Sequence, residues 1–196
     1  MSQYWTDLVR RLDPYIPGEQ PQDQQYLKLN TNENPYPPSP EVAKALSNLD
    51  TDTLKLYPDP ESTELRRVLA AQHGINLEQI FVGNGSDEVL AHSFQAFFKQ
   101  PQPILFPDIS YSFYPVYCAL YEIEFTRVPL DHNFYIDIER YNHANGGIIL
   151  PNPNAPTGIA LPLSSIKTLL ENTDSVVIID EAYVDFGAES SASLID

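Results

Sequence analysis

The stretch Ser175–Phe186, SVVIIDEAYVDF, joins a series of apolar, mostly β-branched residues to two acids. Val176–Ile179 is apolar at every position, which predicts a strand in the middle of a parallel sheet with helices covering both faces. Asp180 and Glu181 follow at the carboxyl end of this strand, where open α/β sheets bind their ligands. Because burying a carboxylate without a partner is costly, these acids predict a cationic or hydrogen-bonding partner at this edge.

Strand and helix candidates alternate along most of the chain before this stretch. The predicted strands cover Gln79–Val82, Ile104–Phe106, Phe125–Leu130 and Gly147–Leu150. The predicted helices have apolar residues at helical spacing and include Glu41–Leu49, Asp87–Phe98, Ser110–Leu120 and Ser164–Asn172. This alternation predicts an α/β fold class, with a mostly parallel sheet flanked by helices and preceded by an N-terminal arm.

The composition argues against several classes of protein. Of the 196 residues, 42% are hydrophobic and 19% are charged, which is typical of a soluble globular protein. The formal net charge of −16 argues against nucleic-acid binding, since a phosphate backbone requires a Lys/Arg patch. No apolar segment is long enough to span a bilayer, and no secretory signal is visible. The single cysteine, Cys118, fits a reducing cytosol, so we expect a cytoplasmic protein, and no metal site is predicted.

Gly83–Glu88, GNGSDE, joins a predicted strand to a predicted helix. Its glycines allow main-chain N–H groups to be exposed, and Ser86 can cap the helix and offer its hydroxyl, so this segment is a candidate phosphate site. A dinucleotide-binding fingerprint would need a third glycine where Glu88 stands, and a P-loop would need a lysine that the segment lacks. A tight turn with a good helix cap remains the alternative.

Asp180 has three interpretations. It resembles a Walker-B acid that helps to bind Mg²⁺, but the chain has no Walker-A candidate. It can cap the next turn, or it can keep a heteroaromatic ring nitrogen protonated, as a pyridoxal phosphate site requires. Tyr111, Phe113 and Tyr114 offer flat faces for stacking on an aromatic ligand, although residues at helical spacing are more often part of a core.

Six segments of the chain carry a recognisable pattern, which in order is LNTNENPYPPSP, LYPDP, VGNGSDE, PDISYSFYP, NPNAPTG and VVIIDEAYVDF. Together they resemble the fold-type-I pyridoxal 5′-phosphate aminotransferases, and among these the histidinol-phosphate aminotransferases. The resemblance implies amino-group transfer between L-histidinol phosphate and 2-oxoglutarate in histidine biosynthesis, with pyridoxal 5′-phosphate as cofactor. It also implies that residues 1–35 form an N-terminal arm and part of a small domain, and residues 36–196 part of the large cofactor-binding domain.

The resemblance assigns roles around the cofactor. Tyr111 would stack on the pyridine ring, Asp180 would pair with the pyridinium nitrogen, and Tyr183 would donate to the phenolic oxygen. The cofactor phosphate would lie at the start of a helix, beside Gly85, Ser86 and Asp87.

The resemblance also assigns roles to residues nearer the N-terminus. Tyr57 would reach the cofactor phosphate of a partner subunit, so the working unit would be a homodimer. Tyr15 and Asn34 would approach the substrate. The implied small-molecule partners are histidinol phosphate with imidazole acetol phosphate, and glutamate with 2-oxoglutarate, and no nucleic acid or membrane is involved.

The loop NPNAPTG departs from the family pattern. The family usually has an asparagine directly before Pro-Thr-Gly, where it bonds the phenolic oxygen of the cofactor. This chain has Ala155 there and Asn154 one position earlier. Either Asn154 takes over this hydrogen bond or the bond is absent.

The reactive lysine is a second departure. In the family, the lysine that forms the Schiff base lies downstream of the Asp-Glu-Ala-Tyr motif, so the resemblance implies that it lies beyond Asp196. The five lysines of this chain all precede Asp180. We therefore expect an amino-terminal portion of such an enzyme that is inactive alone, with a non-catalytic remnant or binding fragment as one alternative. An aromatic aminotransferase or a phosphothreonine decarboxylase of the same fold remains another.

Strand pairing gives a related expectation. In the family's sheet, two strands from later in the chain separate the Gln79–Val82 strand from the strand that ends at Asp180. Without them, Gln79–Val82 would have an open edge with unpaired backbone groups. We expect the 196-residue chain to be poorly stable or to aggregate.

Overall fold

A computed structural model of the protein describes residues 2–13, 18–21, 23 and 26–195. The chain divides into two compact units, one formed by Met1–Asp13 with Glu64–Asp196 and the other by Pro14–Thr63. The domain boundary predicted at residue 35 stays a prediction.

The larger unit contains a parallel four-stranded sheet. Its strands are β1 (Ile104–Pro107), β2 (Phe125–Val128), β3 (Ile148–Pro151) and β4 (Val177–Asp180). Their order is β2-β1-β3-β4, and each neighbouring pair runs parallel. The predicted α/β fold class with a parallel sheet is confirmed. The register aligns Pro151 of β3 with Asp180 of β4, so the loops that follow these two strands start side by side.

Helices connect the strands of this sheet and precede it. The α-helices are α1 (Asp7–Arg11), α2 (Pro40–Ser47), α3 (Thr63–His73), α4 (Gly85–Phe97), α5 (Tyr114–Tyr121) and α6 (Leu163–Glu171). Short 3₁₀-helices cover Thr51–Lys55, Leu77–Gln79, Ile138–Tyr141, Val184–Phe186 and Ser191–Leu194. In the described part of the chain, no helix is both long enough and apolar enough to cross a membrane.

The α4–α5 face of the sheet carries the larger core. Ile104 and Phe106 of β1 and Ile149 of β3 belong to this core, together with α4 and α5 side chains that include Leu90, Phe94, Tyr114, Tyr117 and Cys118. The ring of Phe94 lies 5.1 Å from the rings of both Phe98 and Tyr117, measured between centroids. Such aromatic contacts add to the free energy gained from burial alone.

The α6 face of the sheet has a second, smaller core. Leu105 of β1 and Ile148 and Leu150 of β3 alternate with the residues of the first core, as side chains along a strand must. They pack with Val128 of β2, Tyr141 of a 3₁₀-helix and Leu169 of α6. Both faces of β1 and β3 are therefore covered, which explains their continuous apolar sequences.

β4 corrects one expectation, because it lies at an edge of the sheet and not in the middle. All residues of β1 and β3 are buried, whereas each residue of β4 is only partly buried. The part of the chain that the structure describes places no strand on the outer side of β4. Val176–Ile179 is therefore as apolar as a fully buried strand, although its residues are not fully buried in this structure.

A second correction concerns Gln79–Val82, which was predicted to be a strand. Leu77–Gln79 forms a 3₁₀-helix, and residues 80–82 pair with no strand among the described residues. A strand needs a neighbour to satisfy its N–H and C=O groups, and the strand pattern alone does not supply one. The helix that follows, α4, starts at Gly85 rather than at the predicted Asp87.

The smaller unit has little regular structure. It contains α2, which begins with Pro40 directly after the N-cap Ser39, one residue before the predicted start at Glu41. Thr51–Lys55 follows as a 3₁₀-helix whose N-cap, Asp50, accepts a hydrogen bond from the Asp52 N–H. None of the described residues between 18 and 63 is buried.

Candidate active site

A cavity of about 240 Å³ opens where β3 and β4 end and α4 begins. Five of its lining residues were predicted from the sequence as site residues, and these are Ser86, Asp87, Tyr111, Asp180 and Tyr183. Pro151, Ala155 and Ala182 complete the lining. The structure thus brings residues 97 positions apart into one site, because parallel strands present their carboxyl ends at the same edge.

Larger cavities exist in the same unit, but fewer carboxylates and phenols converge in them. The one beside β4 has a volume of about 410 Å³ and is lined mainly by aliphatic side chains such as Ile166, Val177 and Leu194. A binding site is better indicated by a few polar groups that converge within a cavity. Only the cavity at the strand ends combines two carboxylates, two phenols and a serine among the described hollows.

Asp180 is held from two sides. The hydroxyl of Tyr114 donates to Asp180 Oδ2 over 2.8 Å, and the N–H of Ala182 donates to Oδ1 over 3.2 Å. Tyr114 is fully buried in the α4–α5 face. Burial, followed by the negative charge of Asp180, raises the pKa of Tyr114 well above its ordinary value. The phenol therefore stays protonated and serves as a donor.

The start of α4 forms the opposite wall of the cavity. Gly85 has φ +79°, a left-handed conformation that favours glycine, and Asn84 provides no side-chain cap to the helix. The first-turn N–H groups of a helix lack partners within the helix and favour an anion. Asp87 and Glu88 place negative charge in the same turn, so an anion there depends on main-chain N–H groups and the Ser86 hydroxyl.

Two tyrosine hydroxyls donate hydrogen bonds to Asp87. The hydroxyl of Tyr111 donates to Asp87 Oδ1 over 2.9 Å, and the hydroxyl of Tyr117 donates to the main-chain oxygen of Asp87 over 2.8 Å. Burial, followed by the charge of Asp87, raises the pKa of Tyr117. Tyr111 therefore both bonds the first turn of α4 through its hydroxyl and lines the cavity.

The hydrogen-bonding roles of Tyr114 and Tyr117 were not predicted from the sequence. Tyr114 was expected to stack on a ligand or to belong to a core. The available signal was the spacing of three tyrosines at positions 111, 114 and 117, which repeats every three residues. Three phenols at this spacing supply both apolar bodies for a core and hydroxyls that need partners when buried.

The loop after β3 is tied down by its asparagines. Asn152 exchanges two hydrogen bonds with the backbone of Leu161, accepting over 2.8 Å and donating over 3.2 Å. Asn154 is buried, and its amide nitrogen donates to Ile109 O over 3.0 Å and to Thr157 Oγ1 over 3.3 Å. Both amide hydrogens of Asn154 therefore have partners within the protein, and it is Ala155 that lines the cavity. A contact between Asn154 and a cofactor stays a prediction.

Two further predicted site residues belong to the smaller unit. Tyr57 belongs to the smaller unit, and its side chain is 99% exposed. Asn34 belongs to the same unit, where its side-chain oxygen accepts a hydrogen bond from the Tyr36 N–H over 3.0 Å. Tyr15 lies outside the described residues. Their predicted roles stay predictions.

The donor set of the cavity fits one kind of ligand. A carboxylate fixed by two donors suits a protonated ring nitrogen, and a phenol suits a phenolic oxygen. A helix start with a serine hydroxyl suits a phosphate. A small aromatic ring that bears these three groups matches Asp180, Tyr183 and Ser86 in chemistry. Among the described residues, no group of three or more His, Cys, Asp or Glu side chains is placed to hold a metal ion.

Comparisons with known proteins agree with this chemistry. The family model described as aminotransferase class I and II matches residues 24–195. The chain is 60% identical to histidinol-phosphate aminotransferase 1 from Methylococcus capsulatus, over all of this chain and 55% of that protein. It is also 60% identical to histidinol-phosphate aminotransferase 1 from Hydrogenovibrio crunogenus, with the same shares covered. The chain therefore spans about half the length of the curated relatives that it matches.

A solved structure gives the same fold. The histidinol-phosphate aminotransferase from Sinorhizobium meliloti, solved in complex with pyridoxal 5′-phosphate, superposes with a TM-score of 0.80. The match covers 94% of this chain and 52% of that one, at 21% identity. At this identity the similarity concerns the fold.

Proposed function

The chain belongs to the aminotransferase class I and II family, and from that premise we propose that it provides the pyridoxal 5′-phosphate site of a histidinol-phosphate aminotransferase. The reaction is the exchange of an amino group between L-histidinol phosphate and 2-oxoglutarate. The curated relatives at 60% identity support this choice within the family. The observation that carries the proposal is the convergence of Asp180, Tyr183 and Tyr111 on one cavity with the start of α4.

Each residue of the cavity has a proposed task. When bound, pyridoxal 5′-phosphate supplies a ring that accepts electrons from the substrate bond being broken. Asp180 keeps the ring nitrogen protonated, and Tyr183 donates to the phenolic oxygen. Tyr111 packs against the ring face, with its hydroxyl fixed by Asp87. Together these contacts orient the ring and exclude water from one of its sides.

The phosphate is assigned to the start of α4. Main-chain N–H groups of Gly85, Ser86 and Asp87 and the Ser86 hydroxyl are the proposed donors. The lining of the cavity contains two acids and no basic residue, so further positive charge must come from outside the lining. The lysine that the reaction requires is likewise absent from the residues that line the cavity.

Binding of pyridoxamine 5′-phosphate to the cofactor-free gene product that carries this sequence tests the cofactor site. This form of the cofactor carries an amine, which does not condense with surface lysines as the aldehyde does. We expect saturable binding in a fluorescence titration, weakened about tenfold or more by Asp180→Asn, because a hydrogen bond to a charged group is lost.

Asp174→Asn is the matched control for that titration. Asp174 is an exposed acid just before β4, whereas Asp180 ends the same strand, so this control removes one negative charge away from the cavity. Its affinity should equal that of the unaltered chain. Absence of saturable binding, or equal weakening by the two substitutions, would contradict the proposed site.

The substrate is tested with the gene product that carries this sequence. Glutamate formation from 2-oxoglutarate is measured with L-histidinol phosphate or L-phenylalanine as the amino donor, and release of carbon dioxide is measured with O-phospho-L-threonine. Turnover with histidinol phosphate alone is expected. Preferred turnover of phenylalanine, or decarboxylation of phosphothreonine, would instead assign one of the two related activities on this fold.

We further propose a cytoplasmic homodimer in which Tyr57 contacts the cofactor phosphate of the partner subunit, while Tyr15 and Asn34 approach the substrate. The exposure of Tyr57 is in keeping with this, since the residue is 99% exposed. Sedimentation of the gene product should give a dimer. Tyr57→Phe should weaken binding of pyridoxamine 5′-phosphate without changing the sedimentation coefficient, and a monomeric, fully active protein would refute the proposal.

A further inference from the structure

Tyr114 connects the core on the α4–α5 face to the edge of the cavity. It opens α5, and none of its side chain is exposed. Its ring lies between 5.5 and 5.9 Å from the rings of Tyr111, Phe106 and Phe94, measured between centroids. A ring surrounded in this way has one orientation, so its hydroxyl has one direction, and that direction leads to Asp180 Oδ2 at 2.8 Å.

The bond spans the unit. Tyr114 and Asp180 are 66 residues apart in sequence, and the bond connects the first turn of α5 to the end of β4. β4 is the edge strand and only partly buried, so its end has less packing to hold it than the ends of β1 or β3. A donor from the core can supply the constraint that strand packing does not.

We propose that Tyr114 is a positioning residue, which holds the Asp180 carboxylate from the core side so that it meets the ring nitrogen of the cofactor. This inference rests on the proposed function. Tyr114 does not line the cavity, so it acts through Asp180 and does not touch the ligand.

The hydrogen-bond count of Asp180 is consistent with this role. A carboxylate has about four sites at which it accepts hydrogen bonds. Tyr114 and the Ala182 N–H occupy two of these, one on each oxygen. Both oxygens are thereby fixed, and lone pairs remain for a ligand. A side chain fixed before binding loses less rotamer freedom when the ligand arrives.

The test uses two probes that differ at one atom. One is pyridoxamine 5′-phosphate, and the other is its carbocyclic analogue, in which the ring nitrogen is replaced by C–H. Tyr114→Phe removes only the hydroxyl and keeps the ring in the core. We expect this substitution to weaken pyridoxamine 5′-phosphate about tenfold and the carbocyclic analogue less than twofold. A role confined to structure would weaken both probes alike.

Tyr117→Phe is the matched control within α5. Tyr117 is also buried and also donates through its hydroxyl, but to the main-chain oxygen of Asp87 near the proposed phosphate position. Both probes carry the phosphate, so this substitution should affect their affinities equally. Equal effects of Tyr114→Phe on both probes, or no effect on either, would overturn the positioning role.

A second measurement does not depend on the cofactor. The free energy of unfolding is compared for Tyr114→Phe, Asp180→Ala and the double variant. If the bond exists, the double variant should lose less stability than the two single losses added together. Additive losses would refute the bond itself. Failure of the unaltered chain to bind pyridoxamine 5′-phosphate would instead refute the proposed function, and the cofactor role of Tyr114 with it.

Discussion

Both faces of the sheet bury tyrosine side chains, and Tyr114 on one face differs from Tyr141 on the other in the partner of its hydroxyl. Tyr114 on the α4–α5 face and Tyr141 on the α6 face are both buried, at 0% and 1% exposure. The hydroxyl of Tyr114 donates to Asp180. The hydroxyl of Tyr141 is buried without a hydrogen-bond partner among the described residues. One hydroxyl thus donates to a residue that lines the cavity, and the other is buried within reach of the charges of Asp108 and Asp137 without a hydrogen bond to either.

Burial alone therefore does not identify a functional residue. Desolvation is the largest cause that raises the pKa of both tyrosines, so this common effect does not distinguish them. The distinguishing observation is the partner. A buried hydroxyl that bonds a carboxylate can fix the position of that carboxylate at the edge of the sheet. A buried hydroxyl that has no hydrogen-bond partner lowers the stability of the fold.

The largest effect is expected from removing the aromatic packing beneath Tyr114. Phe94→Ala should lower the free energy of unfolding by about 3–5 kcal/mol, because the ring is fully buried and its loss leaves a cavity. Urea unfolding followed by circular dichroism measures this change. Phe97→Ala in the same helix is the control, since Phe97 is 47% exposed, and its effect should be far smaller. Equal losses would show that the α4–α5 face is not packed as described.

Tyr114→Phe should lower the free energy of unfolding by about 1–2 kcal/mol. The substitution leaves Asp180 without its donor from the core, although water can replace part of the bond because Asp180 is only partly buried. The measurement is the midpoint and slope of the urea transition. An unchanged midpoint would mean that the bond contributes nothing to stability.

Alkaline pH should destabilise the protein through both tyrosines. Their pKa values are raised above the ordinary value of 10.0, so their contribution is complete below about pH 10 and is lost as the pH rises towards the folded-state pKa. Above pH 10, each lowers the free energy of unfolding by up to about 1.4 kcal/mol per pH unit. Urea unfolding between pH 9 and 11.5 measures the slope.

Phenylalanine variants assign that slope to residues. Tyr114→Phe and Tyr141→Phe should each reduce the decrease in the free energy of unfolding per pH unit by the contribution of one titrating group. Tyr135→Phe should leave this pH dependence unchanged, because Tyr135 is 53% exposed. A slope that neither buried variant reduces would contradict the pKa shifts on both faces.

Tyr141→Phe should have the smallest effect at neutral pH. Removing a buried hydroxyl that has no partner should leave the free energy of unfolding unchanged or raise it by about 1 kcal/mol. The urea midpoint measures this. A loss of stability comparable to that of Tyr114→Phe would show that Tyr141 has a partner after all, and the contrast between the two faces would disappear.

The strands of the sheet centre were readable from the sequence to within a residue or so. Ile104–Phe106 and Gly147–Leu150 were predicted, and β1 and β3 cover Ile104–Pro107 and Ile148–Pro151. These segments are covered on both faces, so their apolar composition is continuous and their boundaries coincide with Pro, Gly or polar residues. The prediction of a strand at Gln79–Val82 was wrong because a strand needs a neighbouring strand to pair with, and a short apolar pattern carries no information about neighbours.

The cavity was predicted in part. Asp180 ends β4, so the rule for parallel sheets places it at the carboxyl edge without further information. Ser86 was expected at the same edge because Gln79–Val82 was predicted to be a strand, and its position at the cavity depends instead on where α4 begins. The contacts of Asn154 were not predictable, because an amide side chain can donate to a ligand or to its own loop, and only the fold shows that Ile109 O and Thr157 Oγ1 receive its hydrogens.

The chain's local pattern was enough to establish an α/β sheet and the set of polar residues at its carboxyl edge, since apolar periodicity and strand ends are local properties. The tertiary structure was needed to show that β4 is an edge strand and that Tyr114 holds Asp180. Both facts depend on which distant segments meet, and the free energy of such contacts is not encoded in the neighbourhood of either residue. The pair Tyr114 and Asp180 lies 66 positions apart, and only the packing of α5 against the sheet brings the hydroxyl within 2.8 Å of the carboxylate.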